Sequence, residues 1–214
     1  MTVAYKYISS KYVGDFLSGR KIKIGTLHNF RKEEQHGSEI GDPGEGIRQI
    51  YDVIDYAHSE KPETITPLVE KIDPLFRSRP NSVIRNVLVQ DTEDCADQYV
   101  FCTTYEFDLS TMQQMGYDCC VIITNVERFL ELIRNKLVAK GLISGKISHG
   151  KCIYGDRRTY ARHPNPPPPW ALKLTKHEHQ KEYRMVWEPS YTLIDDIYLK
   201  CISVREFLTI YPTK

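Results

Sequence analysis

The sequence predicts an α+β fold, in which helices and strands follow one another irregularly along the chain. Capping boxes at 124–127 and 203–206 mark two helix starts, because a side-chain oxygen and a carboxylate three residues apart satisfy each other's free amides. Residues 21–24 alternate lysine with isoleucine, a pattern typical of a sheet that packs on one face only. Helices and strands do not alternate regularly, which excludes a doubly wound parallel sheet.

Length and composition bound the classes of protein to consider. The 214 residues, 41% of them hydrophobic, are enough to bury a core in a single domain spanning 1–214. The formal net charge of +1 predicts no global attraction to nucleic acid or to anionic lipid, so any nucleic-acid contact must be local. Six cysteines without zinc-like spacing predict reduced thiols and no metal. With neither a leader pattern nor a long apolar run, the sequence predicts a cytoplasmic protein without a membrane partner.

The first half of the chain predicts few elements. A strand at 3–8 precedes a helix that either Ser9 or Ser10 caps and that Gly19 ends, and a second strand follows at 21–24. Residues 25–46 form a long glycine-rich loop, which is either a binding loop or lid or else a mobile connection. Residues 55–95 predict an inserted helical or loop segment, with a short helix starting at Pro67 and with 82–89 left open as helix or strand.

The second half gives clearer signals. We predict strands at 99–103, 119–124, 146–154, 182–187 and 197–202, helices at 109–115 and from 124 to Gly141, a final helix from Ser203, and a stiff proline connector at 166–169.

Charged and amide side chains interrupt the buried strand predicted near the C-terminus. If residues 178–187 alternate as a strand, Gln180, Glu182 and Arg184 share one face, while Tyr183 and the other aromatic and apolar residues share the opposite one. Two interpretations stay open: a ligand pocket built around Glu182, or an edge strand with a solvated face. Arg184 on the same face would pair with Glu182 and keep it ionised.

Three separated segments together resemble the arginine/serine/glutamate class of mono-ADP-ribosyltransferases. They are Tyr5-Lys6-Tyr7, Cys102-Thr103-Thr104 and Gln180-Lys181-Glu182. The resemblance implies a split, mostly antiparallel sheet flanked by helices, with NAD bound in the cleft as a substrate and no metal.

The same resemblance implies roles for individual residues. Thr103 and Thr104 would brace the fold around the nicotinamide ribose, Glu182 would bond the ribose 2′-hydroxyl, and Gln180 would face the acceptor. This class carries an arginine on its first strand, where this chain has Lys6, so the contact to pyrophosphate or ribose would fall to Lys6, Arg20 or Arg31. The residues implied to bind NAD are Tyr5, Lys6, Tyr7, Arg31, Thr103, Thr104 and Arg184.

A second resemblance covers more of the chain. Phe30, the Gly-Asp-Pro-Gly-Glu run at 41–45, Phe101-Cys102-Thr103 and the Glu-Tyr-Arg run at 182–184 are similar to an uncharacterised bacterial domain family. Because that family has no settled activity, it implies a shared fold; some of its members are associated with phage defence.

Two smaller clusters are also candidates. Arg157, Arg158 and Arg162, interleaved with Tyr160, are the best local nucleic-acid patch, and the alternative is a solvated loop. His177 and His179 would share a strand face, but two ligands without a third leave a metal site incomplete.

The leading hypothesis is therefore an NAD-dependent mono-ADP-ribosyltransferase-like effector, acting as a toxin or in anti-phage defence on a nucleic acid or a protein, with a neutralising partner or antitoxin. One alternative is a non-catalytic module that senses a phage protein or RNA. A further alternative is an RNA-cleaving toxin.

Overall fold

A computed structural model describes residues 3–32, 37–192 and 195–212 and has the α+β architecture that the sequence predicts. Its α-helices are α1 (Ser10–Leu17), α2 (Pro67–Ile72), α3 (Leu109–Gln114) and α4 (Val126–Ala139). Its strands are β1 (Ala4–Ile8), β2 (Ile22–Thr26), β3 (Ile47–His58), β4 (Val83–Asp94), β5 (Tyr99–Thr104), β6 (Cys119–Ile123), β7 (Ile143–Lys151), β8 (Ile153–Tyr154), β9 (Arg158–Tyr160), β10 (Leu172–Lys173), β11 (Glu182–Pro189), β12 (Ile197–Leu199) and β13 (Leu208–Ile210). None of the described helices combines the length and apolar character needed to cross a membrane.

The main sheet divides at β5. One edge of β5 pairs along its whole length with β11, from Thr104 opposite Glu182 to Tyr99 opposite Trp187. The other edge is shared by two strands, because β2 pairs only with Tyr99 and Val100 while β1 pairs only with Thr104. All pairings in this sheet are antiparallel, and its remaining strands extend outward as β12 beside β2, β6 and β13 beyond β1, and β7 beyond β11. The middle of β5 therefore faces a gap between β1 and β2.

Helix α4 covers the apolar face of this sheet, and its start lies one residue later than the capping box predicts. Asn125 is the cap, since its side chain accepts a 3.1 Å hydrogen bond from the amide of Arg128. Thr124 instead donates its hydroxyl to the carbonyl of Phe207. The predicted end is confirmed, because Gly141 has a positive φ of 68° just past the last turn. The apolar stripe of α4 is buried in the main core.

The predicted C-terminal helix is wrong. Residues Ile202–Phe207 form a 3-10 turn without a side-chain cap, and the chain continues into β13, which pairs with β6. By pairing with β6, Leu208–Ile210 satisfies the backbone N–H and C=O groups on the free edge of that strand. An isolated helical turn at this position would leave those groups without partners.

In the region at 55–95, residues 59–82 are helical and loop segments, as predicted, and Val83–Asp94 is a strand, which settles the alternative left open at 82–89. With β3 this region forms an arm beside the main sheet. Strands β3 and β4 pair over twelve-residue lengths, and β9 adds to β3 in parallel. Only α2 follows the helix prediction, with Thr66 as its cap and Pro67 at its first position. A small apolar cluster around Ile54 and Phe76 packs one face of the arm. Apolar residues also lie on the exposed face, where Val53 pairs with Leu88, and this obscures the strand alternation in the sequence.

The predicted strand alternation from 178 onward holds only from Glu182. Thr175–Gln180 is a 3-10 helix, and Lys181 has a left-handed φ of 45° that turns the chain into β11. Strand β11 lies between β5 and β7 and is buried on both faces, so the interpretation as a solvated edge strand is wrong.

Candidate functional site

A cavity of about 430 Å³ lies in the gap between β1 and β2, and it brings the three predicted segments together. The sequence-predicted residues that line it are Tyr5, Lys6, Tyr7, Thr103, Thr104, Gln180, Glu182 and Arg184. Its volume is in the range of small-molecule sites. Residues distant in sequence meet here because β5 carries β11 on one edge and the diverging pair β1 and β2 on the other.

Glu182 sits in a buried cluster of four charges. Its Oε2 accepts hydrogen bonds from Lys173 Nζ at 2.7 Å, from Arg184 at 3.2 Å and from the Cys152 thiol at 3.8 Å, while its Oε1 accepts Arg184 Nε at 3.1 Å. The Cys102 thiol also bonds this carboxylate. Arg184 also binds Glu45 through both terminal nitrogens, at 2.5 and 2.8 Å. Two cations and two carboxylates thus balance, and Glu182 Oε1 keeps room for a further donor.

The cations decide the protonation state of Glu182. Burial alone would raise the pKa of its carboxyl, but Arg184 and Lys173 outweigh burial and hold the pKa well below its usual value. Burial likewise acts to lower the pKa of Arg184, while the surrounding thiol and carboxylates raise it well above its usual value. Both groups are therefore charged at neutral pH. The expectation that Arg184 pairs with Glu182 and keeps it ionised is confirmed in geometry and in charge.

The glycine-rich loop forms one wall of the cavity through Ile40 and Glu45. Residues 33–36 lie outside the described residues, but 37–46 are tied down at three points. Asp42 is fully buried against Arg157, Glu45 binds Arg184, and the carbonyl of Glu39 accepts a hydrogen bond from Gln180 Nε2. These three contacts therefore hold residues 37–46 in place against the cavity.

Lys6 is one of the lysines that line the cavity. Its ammonium donates a 2.8 Å hydrogen bond to the carbonyl of Cys102, in the stretch of β5 that faces the gap, and lies 5.0 Å above the Phe101 ring. Within the described residues, no carboxylate comes within ion-pair distance of it. Burial lowers the pKa of Lys6, as expected for an ammonium that lacks a carboxylate partner.

The two threonines connect β5 to the start of β11. Thr103 donates its hydroxyl to the carbonyl of Tyr183 at 3.1 Å, and the hydroxyl of Thr104 lies 3.0 Å from the carbonyl of Lys181. These bonds hold β11, which carries Glu182, against β5.

Gln180 is buried and both ends of its amide are engaged. Its Oε1 accepts from Lys173 Nζ at 2.6 Å, and its Nε2 donates to Glu39. The resemblance implied that Gln180 faces the acceptor substrate. In this geometry its amide is not free to do so.

The aromatic candidates differ in position. Tyr5 lines the cavity and packs against Phe107 and Tyr211, whereas Tyr7 uses its hydroxyl on the backbone of Asp108, and burial raises its pKa to about 12.

Several lining residues were missed by sequence reasoning. Lys173 carried a weak signal, as a lysine between two leucines, and Glu45 was one of two acids in the glycine-rich run at 41–46. Tyr117 carried no signal at all.

The remaining predicted residues lie elsewhere. Arg31 does not line the cavity but binds Asp94 and the carbonyl of Glu45, so it supports the loop wall. Arg157 is buried against Asp42 and is not available to bind phosphate, which corrects its place in the nucleic-acid patch. Arg158 and Arg162 are exposed but paired with Asp156 and Asp52.

Tyr160 lies on the exposed face of the arm, where its ring centroid is 4.1 Å from that of Tyr51. Within the described residues, no group of three ligating side chains comes together around His177 and His179. All six cysteines are free thiols, as predicted.

Comparison with family models, with curated protein sequences and with solved structures finds no match to this chain. Any functional assignment therefore has to come from the geometry of the cavity.

Proposed function

We propose that this chain is a mono-ADP-ribosyltransferase-like effector that cleaves nicotinamide from NAD in the cavity between β1 and β2. The observation that carries the proposal is the convergence of Tyr5 to Tyr7, Thr103 to Thr104 and Glu182 on one cavity, around an ionised carboxylate.

The chemistry needs little from the protein beyond placement and charge. Nicotinamide leaves once the ribose can carry positive charge, so the site must orient the glycosidic bond, exclude water and stabilise an oxocarbenium-like centre. Glu182 supplies the negative charge, and its less occupied Oε1 accepts the ribose 2′-hydroxyl. Tyr5 offers a ring for the nicotinamide to stack on.

The charge of the cavity fits an anionic ligand. The four charges around Glu182 cancel, and the other lysines in the cavity lining are Lys6, Lys21 and Lys23. Lys23 is paired with Asp196, and the one further acid among the described lining residues, Asp15, is paired with Arg20. Lys6 takes the place of the arginine expected on the first strand, and as a point charge it binds diphosphate without the two-pronged geometry of arginine.

Glu182→Gln tests the proposal. The variant keeps the shape but loses the charge, so we expect nicotinamide release to fall by about 10²- to 10³-fold. Because Glu182 is buried and paired, the variant also loses about 3 kcal/mol of stability, more than an exposed position would.

The control for this loss is Leu137→Ala, which opens a cavity in the core under α4, away from the site, at a cost of about 2–5 kcal/mol. Leu137→Ala should keep nicotinamide release wherever it stays folded. Equal release by Glu182→Gln and the parent protein would show that Glu182 has no part in the reaction.

A second candidate, the non-catalytic recognition module, is favoured by one observation. Tyr51 and Tyr160 are paired across β3 and β9 beside Arg158, with their ring planes tilted by 45°, and Tyr160 is exposed, so an unpaired base could stack on its ring. Under this alternative, a labelled single-stranded RNA binds equally well without NAD, and Tyr160→Ala weakens binding while Glu182→Gln does not. An RNA-cleaving toxin would shorten the RNA and release no nicotinamide. The toxin or anti-phage role, the cytoplasmic location and a neutralising partner stay predictions from the sequence.

A further inference from the structure

Lys173 connects Glu182, the residue proposed to act on NAD, with Gln180, two positions before it. It lies on the two-residue strand β10, with a side chain that is 4% exposed. Its ammonium is 2.6 Å from Gln180 Oε1 and 2.7 Å from Glu182 Oε2. One lysine therefore binds both ends of the Gln-x-Glu pattern.

We propose that Lys173 is a positioning residue of this site, which holds Glu182 by its Oε2 so that Oε1 faces the cavity. The inference rests on the proposed function, because it assigns a role within the same reaction.

The left-handed turn at Lys181 makes the bridge geometrically possible. Gln180 ends a 3-10 helix and Glu182 begins β11, so strand alternation does not place them on one face. The turn instead directs both side chains to the same ammonium. Gln180 is in turn fixed by its bond to the carbonyl of Glu39, so the amide that orients Lys173 cannot rotate freely.

Arg184 alone would not give the same orientation. Its Nε bonds Oε1 and its terminal nitrogen bonds Oε2, so it contacts both oxygens. Lys173 contacts only Oε2 and makes the two oxygens unequal. The less occupied oxygen is the one that remains for a ribose hydroxyl.

Removing Lys173 also changes the charge that Glu182 experiences. The titratable groups facing Glu182 are Arg184 on β11, Cys102 on β5, Cys152 and Tyr154 from the β7–β8 segment, Glu45 from the loop wall, Lys6 on β1, Tyr117 before β6 and His177 in the 3-10 helix before β11. Arg184 and Lys173 are the two cations in direct contact with its carboxylate. Loss of Lys173 therefore raises the pKa of Glu182. If the reaction needs ionised Glu182, the pH at which kcat/KM begins to fall in acid also rises.

The experiment compares Lys173→Met and Lys173→Arg with the parent protein in nicotinamide release from NAD across pH. We expect Lys173→Met to lower kcat by about tenfold or more with little change in KM, and to move the acidic limb of kcat/KM to higher pH. Lys173→Arg should return the acidic limb toward that of the parent but recover kcat only in part, because a guanidinium does not fit the same bridge. Lys146→Met, at an exposed lysine paired with Glu188, is the matched control and should change neither quantity.

A purely structural role would lower only the folded fraction, and kcat/KM corrected for the folded fraction at each pH would keep the acidic limb of the parent. Unchanged kcat and an unchanged limb in Lys173→Met, with an active parent, overturn the inference and leave the proposed function intact. A parent that releases no nicotinamide overturns the proposed function, and this inference with it.

If Lys173→Met does not fold, Lys173→Arg and Gln180→Met decide the question. Gln180→Met keeps both charges but frees Lys173, so it should lower kcat without moving the acidic limb. Parent-like kcat in both of these variants contradicts the positioning role.

Discussion

The cavity and the β3–β4 arm differ in the burial of their charged residues. In the cavity, the side chains of Arg184, Glu45, Lys173 and Glu182 are at most 9% exposed and form one connected cluster. In the arm, ion pairs such as Lys71 with Asp91 and Arg77 with Glu70 lie at the surface, and an apolar cluster packs one face. Buried charges cost desolvation free energy that exposed pairs do not, so the cavity depends on complete pairing and the arm does not.

The largest expected effect comes from breaking the cavity cluster at its centre. Arg184→Gln removes the partner shared by Glu182 and Glu45, leaving two buried carboxylates with one cation between them. We expect a loss of about 3–5 kcal/mol in the free energy of unfolding, measured by urea denaturation. Arg158→Gln, at an exposed pair, should change it by less than about 0.5 kcal/mol. A small effect at Arg184 would remove the distinction between the two regions.

The arm should lose its structure separately from the cavity. Phe76→Ala removes the largest side chain of its apolar cluster and should cost about 3 kcal/mol. Hydrogen exchange should accelerate in β3 and β4 and stay slow in β5 and β11, because the latter pack in the main core. Equal acceleration in both regions would show that they unfold together.

The response to acid should come from the cavity side. Burial lowers the pKa of His177 to about 4, so between pH 6.5 and 4 the unfolded state binds more protons and stability falls as pH falls. The lowered pKa of Glu182 adds a further loss as pH drops below the ordinary glutamate range. His177→Gln should flatten the dependence of unfolding free energy on pH between 6.5 and 4. The same slope in the parent and the variant would assign the acid response to other groups.

The smallest effect is expected at the surface of the arm. Lys71→Met removes the cation beside Asp91 and should change the free energy of unfolding by less than about 1 kcal/mol. The pair also lowers the pKa of Asp91, so any small contribution should disappear in high salt. A large loss that persists in high salt would mean that packing of the lysine stem matters more than its charge.

Sequence patterns worked best where local geometry fixes the element. The strand at β1, the helix with Pro67 at its first position and the end of α4 at Gly141 were all predicted from local residues. Strand β3 was missed, and 82–89 was left open as helix or strand, because apolar residues on both faces, such as Val53 and Ile54, hide the alternation. At the C-terminus the capping pattern at 203–206 predicted a helix, but β13 pairs with β6 instead, a contact that no local pattern shows.

For the site, the sequence identified the strand residues and misread the loops. Tyr5, Lys6, Thr103, Thr104 and Glu182 line the cavity, whereas Arg31 and Arg157 are held in ion pairs outside it. Strand register is regular, so a motif at a strand end has a predictable neighbourhood. The direction of a loop arginine depends on which distant carboxylate it meets.

The chain's own residues determined the α+β class, the reduced thiols and the carboxylate–guanidinium pair on β11, because these follow from composition and short-range spacing. Only the tertiary structure decided three features: the gap beside β5, the contacts that hold the glycine-rich loop, and the hydrogen bonds of Lys173 to Gln180 and Glu182. The physical reason is that each of these depends on long-range pairing, in which the desolvation of buried charges selects the partners.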